Sequence, residues 1–450
     1  MSPQISKFLD QGKGTSTLLS KVLCFGCSPA QKRAWGVYCE GPLLEAVQMS
    51  GIFPECKTFV DMPMKRDPEE ILRAFAALGE MEKEDPVKLS KFIHENFNEA
   101  GSDMTPCFPP DYDPEPAFLE IISDPKERAW AKGMHSLWPN LVRRVEADVI
   151  VHPQRYSLLS RHHPVVVPGG RFRESYYWDT FWTVRGLLVS GMVETARGAV
   201  LNLLDDVDQF GFVPNGGRLY YTERSQPPLL SDMVCDVYTA CPDITFLSRA
   251  LPTLELEYAF WMDQNLGRAV EIPCVSPHSS LRSPAPSPIV VLNRYWGGPS
   301  LTSRGMALRP RPEAFREDAV TYMDTHVAYH DDQVNEKNAE VGACGSGLGD
   351  RNAWKVGVLG CCQELAAAAE SGWDFSSRWL GPAAGASEGS VAGDNIEEGE
   401  GEGVKTSFRQ KAFFLGDLRT TGIVPAELNS FLHRVELNMA RLHHALGGMR

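Results

Sequence analysis

Apolar residues recur at three- and four-residue spacing in one segment after another, while the period-two alternation of half-buried strands is scarce and short. That pattern restricts the chain to an all-α architecture of paired helices. Helices are expected from Pro42, from Asp67-Pro68 with its acidic first turn, over Leu89 to Phe97, Asp124 to Val145, Thr180 to Leu204, Leu229 to Thr239, Asp243 to Met262 and Ile423 to Leu446. The 450 residues carry 44 Lys and Arg against 58 Asp and Glu, a net charge of −14. An acidic chain with no Lys/Arg stripe interleaved with aromatics is a poor fit for nucleic acid. No apolar run reaches the length of a membrane span. The 11 cysteines lack regular spacing, several lie in apolar settings, and the Cys24 to Cys27 pair has no zinc-spaced partner set. Reduced thiols and a cytoplasmic location follow as expectations.

Organisation along the chain is expected as a flexible leader over residues 1–34, a folded unit over 35–380, an acidic Gly-rich insertion over 381–410 and a continuation of the helical unit over 411–450. A second Ser/Pro-rich insertion is expected at Val275 to Ser287. Between the helices run long Gly/Pro/Asn-rich loops unusually dense in Arg, Tyr and Trp.

The densest loop is Pro168-Gly169-Gly170-Arg171-Phe172-Arg173-Glu174-Ser175-Tyr176-Tyr177-Trp178-Asp179. Two glycines permit a tight turn, and the crowded arginines, carboxylates and aromatics match what a polyol ligand requires: flat faces for C–H groups and charged forks for hydroxyls. The same residues also suit a packed loop whose arginines pair with Glu174 and Asp179. Three other segments share this character: Pro214-Asn215-Gly216-Gly217 on to Arg224-Ser225-Gln226; Asn293 to Trp296 with Pro310-Arg311-Pro312-Glu313 through Asp318; and Ser371-Gly372-Trp373-Asp374-Phe375-Ser376-Ser377-Arg378-Trp379. Asp374 sits between two aromatics, and a carboxyl in an apolar pocket stays protonated toward neutrality, as a general acid must. Alternatively it caps a helix or pairs with Arg378.

Taken together, these segments resemble the trehalase family of glycoside hydrolases. The signature Pro-Gly-Gly-Arg-Phe-x-Glu-x-Tyr-x-Trp-Asp is matched in full from Pro168 to Asp179, and the likeness extends from Gly41-Pro42-Leu43-Leu44 through Lys57-Thr58-Phe59-Val60-Asp61, Glu95-Asn96-Phe97 and Ser136-Leu137-Trp138-Pro139 to all four loops. The resemblance implies an (α/α)6 toroid and inverting hydrolysis of α,α-trehalose to two glucose molecules, without a cofactor. It places Arg171, Phe172, Tyr176, Trp178, Asp179, Asn215, Arg224, Gln226, Arg311, Glu313 and Gly372 on the sugar-binding surface and makes Asp374 the general acid. The family's general base, its Gly-rich lid and its second signature, Gln-Trp-Asp-x-Pro, have no counterpart up to Arg450. An incomplete toroid is therefore expected, and with it an alternative in which the chain binds trehalose without cleaving it, or is a truncated product. Glu427, Glu436 and the run from Glu397 to Glu402 are the carboxylates available to replace the base. No histidine pair, whether His162-His163, His326 with His330 or His443-His444, has the partners of a metal site.

Overall fold

The computed structural model describes residues 26–273, 289–297, 311–314, 318, 363–374, 376–380 and 418–447. The leader up to residue 25, both expected insertions, and His326 with His330 lie outside them. The first helix among the described residues, α1 (Pro29–Tyr38), starts earlier than the expected onset of folded chain near Trp35. Ser28 and Gln31 cap each other reciprocally there, and Pro29 takes the first position, where a missing N–H costs nothing. The same proline position opens α2 (Pro42–Ser50), α4 (Pro68–Ala76), α5 (Pro86–Asn96) and α6 (Pro125–His135), with the short α3 (Cys56–Val60) in between. Asp85 and Asp124 accept hydrogen bonds from the free amides of the first turns of α5 and α6.

The second half is a regular series of helix pairs: α7 (Tyr177–Val189), α8 (Val193–Phe210), α9 (Leu230–Ala240), α10 (Ile244–Met262), α11 (residues 363–370) and α12 (Ala426–Gly447). One expectation ran a single helix from Thr180 to Leu204. The chain instead breaks at Ser190-Gly191-Met192, where Gly191 takes φ +74°, a left-handed conformation that costs glycine little. Three-residue links at this break and between α9 and α10 force antiparallel neighbours. α7 packs on α8 and α9, α8 on α10, and α12 on α9 and α10, so the pairs stand side by side in two rows, an all-α wall.

Val184, Leu187, Val200, Leu204, Leu230, Val234, Leu247, Leu254, Trp261 and Leu428 fill the space between those rows. At about 1.5–3 kcal/mol for each fully buried large apolar side chain, this cluster is the main source of the wall's stability. A second core joins α1 to α5 around Tyr38, Phe59 and Phe97 and reaches Tyr220 and Tyr221 in the loop after α8.

The expected helix to Val145 is also corrected. α6 stops at His135, a short turn covers Trp138–Leu141, and Val142–Val145 is strand β2, antiparallel to β1 (Met104–Pro106) and β3 (Val165–Val166). Val142-Arg143-Arg144-Val145 buries its two valines and leaves its arginines less buried, which suits β-branched residues at a sheet position better than a helix. A hairpin of β4 (Ala269–Pro273) and β5 (Ile289–Asn293) follows α10. No helix among the described residues is long and apolar enough to cross a membrane.

Candidate active site

Beneath the signature loop lies a buried ionic network. Lys57 and Asp61, one helical turn apart across α3, face the loop; the Lys57 ammonium is 2.8 Å from carboxylate oxygens of both Asp61 and Glu174 and 3.0 Å from the Tyr220 hydroxyl. Arg218 reaches Glu174 at 2.8 Å, Asp103 at 2.7 Å and the Ser157 hydroxyl at 3.0 Å. These charged side chains are 0–2% exposed. Burial acts to raise the pKa of Glu174, yet Lys57 and Arg218 outweigh it and hold the carboxyl below its ordinary range. Glu174 is therefore a fixed anchor. Its partners come from α3 and the second loop, not from Arg171 or Arg173 as the packed-loop reading expected.

On that anchor the signature makes its turn, with Gly169 at φ +104° and Gly170 at φ +61° and the Phe172 amide donating to the Gly169 carbonyl at 3.2 Å. Arg171 turns outward, pairs with Glu55 and stacks over the Phe172 ring at 4.8 Å. Phe172 meets Tyr176 edge-on at 5.5 Å, and Tyr176 meets Tyr221 at 5.5 Å while its hydroxyl donates to Glu174. At the start of α7 the Trp178 amide donates to the Gln226 side-chain oxygen at 3.0 Å. The Trp178 ring covers Gly372 so closely that a Cβ there would lie 2.7 Å from it, and Gly372 has φ +72°. Only glycine fits that position. Asp179 stands exposed on the first turn of α7, next to Trp178 in sequence.

The second loop and the later segments close the circle. Asn215 is buried; its side-chain amide donates to the carbonyls of Ser225 and Ala369, each at 3.3 Å, and its backbone carbonyl accepts from the Tyr177 amide. Arg224 lies over the Tyr221 ring at 5.1 Å and reaches Glu313 at 2.5 Å. Two residues from Glu313, Arg311 is gripped by Asp318 through its Nε and Nη2 at 3.0 and 2.9 Å and extends Nη1 to Asp374 at 3.4 Å. The partner of Asp374 is thus Arg311. Arg378, the partner expected from its nearness in sequence, instead forms a two-pronged bridge to Glu427 at 2.9 and 3.2 Å and stacks on Trp373 and Trp379. Nor is Asp374 enclosed in an apolar pocket: its side chain is 35% exposed and the neighbouring Trp373 half exposed.

Eleven of the twelve residues singled out from sequence are thereby joined in one cluster, with Asp179 at its edge. Burial alone would lower the pKa of Arg224 and of Arg311, but Glu313 and Asp318 respectively hold them charged. Arg224 Nε and Glu313 Oε2, like Arg268 Nε and Tyr295 Oη outside the cluster, are buried with no hydrogen-bond partner among the described residues. Of the carboxylates considered as replacement bases, Glu427 is bound to Arg378, and Glu436 accepts from the Tyr258 hydroxyl at 2.5 Å. Sequence reasoning passed over Lys57, Asp61, Glu174 and Arg218 as functional supports, and over Glu55 and Asp318 as the partners of Arg171 and Arg311. The i, i+4 spacing of Lys57 and Asp61 was the one local signal; the other pairings span long stretches of sequence or an irregular turn.

A family description named Trehalase matches residues 51–396 of the chain. Curated relatives include trehalase from Homo sapiens, 37% identical over 91% of this chain, trehalase from Apis mellifera, 35% over 96%, and trehalase from Dictyostelium discoideum, 34% over 98%. The aligned region is 58%, 57% and 61% of those relatives' own lengths, so the chain spans less than two thirds of each.

Proposed function

The chain belongs to the trehalase family, and from that premise we propose that it binds α,α-trehalose in the cluster around Arg224, Glu313, Arg311 and Asp374 and supplies the general acid for its hydrolysis. The observation that carries this reading is the convergence of three distant loop segments on two arginines and two carboxylates, with one arginine nitrogen and one carboxylate oxygen left unpartnered among the described residues. A disaccharide offers hydroxyls that both donate and accept, which is what Arg224 Nε and Glu313 Oε2 lack. Phe172 and Trp178 supply apolar faces for the sugar's C–H groups, and Arg171 adds an exposed fork at the rim.

Cleavage with inversion requires a proton delivered to the bridging oxygen as the glycosidic bond breaks, and a water activated by a second carboxylate on the opposite face of the sugar, about 6.5–9.5 Å away. The family resemblance assigns that proton to Asp374, which is accessible from solvent and is oriented by Arg311, itself fixed by Asp318. Neither Glu427 nor Glu436 is free to activate the water, because each is held by another side chain.

The test is a proton NMR time course of trehalose incubated with the folded 450-residue chain. Equal early amounts of α- and β-glucose are expected from inversion, since one half of trehalose leaves with its configuration kept and the other with it reversed. α-Glucose alone would overturn the inverting mechanism. No glucose, together with a saturable trehalose isotherm, would overturn hydrolysis by this chain and leave a protein that binds trehalose without turnover.

A further inference from the structure

Behind the proposed sugar site lies a carboxylate that no part of the reaction uses. Glu370 ends α11, four residues before Asp374, and is fully buried. One of its oxygens accepts the Ser225 amide at 3.0 Å and Arg268 Nη2 at 2.6 Å; the other accepts the amides of Trp296 at 2.8 Å and Gly297 at 3.1 Å. Ser225 lies between Arg224 and Gln226. A single anion therefore ties the second loop and the 293–297 segment to the helix end that carries Gly372 and Asp374. The Ala-rich face of α11 makes that close approach possible: a Cβ on Gly297 would fall 2.1 Å from the Ala367 amide nitrogen, and the Ala369 carbonyl takes the Asn215 side chain.

We propose that Glu370 is the positioning residue of the site: its charged, four-fold acceptor fixes Arg224 and Gln226 relative to Asp374. A carboxylate is required because all four of its partners are donors, and a glutamine would present an N–H to one pair of them. Charge balance is a separate role, since Arg268 is itself buried, lies over the Phe260 ring at 4.4 Å and needs a counter-charge. The binding consequence of the proposal rests on the trehalose reading; the positioning itself does not.

The two roles are separated by comparing wild type, Glu370→Gln, and the charge-balanced double variant Arg268→Met with Glu370→Gln. Melting temperature, amide hydrogen exchange over residues 222–228 and 293–297, and trehalose binding are read in parallel. The double variant is expected to recover much of the melting temperature lost by the single one. It should still exchange the amides of Ser225, Trp296 and Gly297 about tenfold faster or more than wild type, and bind trehalose about tenfold more weakly or worse, as loss of charge-assisted hydrogen bonds requires. Wild-type protection and wild-type binding in the double variant would reduce Glu370 to a counter-ion and overturn the proposal. If wild type itself binds no trehalose, the trehalose reading fails, and exchange alone decides: unchanged protection at those amides overturns the positioning role, and lost protection upholds it.

Discussion

The ionic network under the signature loop and the cluster around Asp374 are built from the same parts, arginines against carboxylates, and Tyr176 and Tyr221 link one to the other. They differ in completion. Lys57, Asp61, Asp103, Glu174 and Arg218 are all but removed from solvent, and none of their side-chain polar atoms is left without a partner. The outer cluster leaves Arg224 Nε and Glu313 Oε2 without partners among the described residues and keeps Asp374 open to water. A network whose polar groups are satisfied among themselves serves as framework, whereas one with a solvent-open carboxylate and unsatisfied groups has capacity for further hydrogen bonds. The first should govern stability and the second binding and turnover, which is a separation that substitutions can test.

The largest effect is expected at Asp374. Asp374→Asn removes the transferable proton while keeping the shape, so glucose release by a chain that hydrolyses trehalose should fall by about 10²–10⁴-fold. Its urea midpoint should hardly move, because the side chain is 35% exposed. Unchanged release would remove Asp374 from the role of acid. Glu174→Ala should do the reverse. It removes the carboxylate that Lys57 and Arg218 share, leaving them Asp61 and Asp103 and several buried donors unsatisfied, and is expected to cost about 3 kcal/mol of unfolding free energy by urea titration. A loss below about 1 kcal/mol would mean that the network is a surface-like pairing after all.

A third carboxylate sharpens why that network needs its cations. Glu257 on α10 is buried with one partner, the Tyr177 hydroxyl at 2.5 Å, and burial pushes its pKa up from 4.5 to about 7. Because the folded value exceeds the unfolded one, its contribution to stability is fully present below about pH 4.5 and is lost as the pH rises through about 7. The shift corresponds to about 3 kcal/mol at 1.36 kcal/mol per pH unit. Urea titrations at pH 5 and pH 8 should therefore show a steeper loss for wild type than for Glu257→Gln; equal slopes would refute the buried, proton-holding state. Glu174, equally buried but faced by two cations, behaves in the opposite sense.

The elements that the sequence made legible are those fixed by short-range chemistry. Proline at the first position and aspartate caps marked helix starts such as Pro68 and Ile244 within a residue or two, and the full Pro168 to Asp179 signature, with the three later loops, led to the residues that cluster here. The rest was set by distant partners. Val142–Val145 becomes a strand because Met104–Pro106 and Val165–Val166 lie on either side of it, and helical spacing read along the chain cannot see either one. Glu174 looked equally ready for a ligand or for its neighbouring arginines, and what decided its role was Lys57, 117 positions earlier, together with Arg218. The expectation of an apolar pocket for Asp374 failed for the same reason: the neighbouring Trp373 lies against Arg378, and Arg311 arrives from another segment.

Arg171 tests the rim of the outer cluster with less collateral damage than its buried members. It is more than half exposed and paired with Glu55, so Arg171→Ala should leave the melting temperature nearly unchanged. Trehalose binding by calorimetry should weaken by about 1.5–3 kcal/mol, the value of hydrogen bonds from a charged donor. An isotherm indistinguishable from wild type would confine Arg171 to its pairing with Glu55.

The smallest effect is expected where the outer cluster meets solvent. Arg378 and Glu427 form a bidentate bridge, but both ends are substantially exposed, and pairs of that kind contribute about 0–1 kcal/mol. Glu427→Gln should therefore change the urea midpoint very little. It should also leave any glucose release within about twofold of wild type, since a carboxylate clamped by two guanidinium nitrogens is poorly disposed to activate water. A drop of about a hundredfold with the fold intact would reverse that conclusion. Glu427 would then be the catalytic base, and the bridge to Arg378 the resting state of a residue that changes partners when sugar enters.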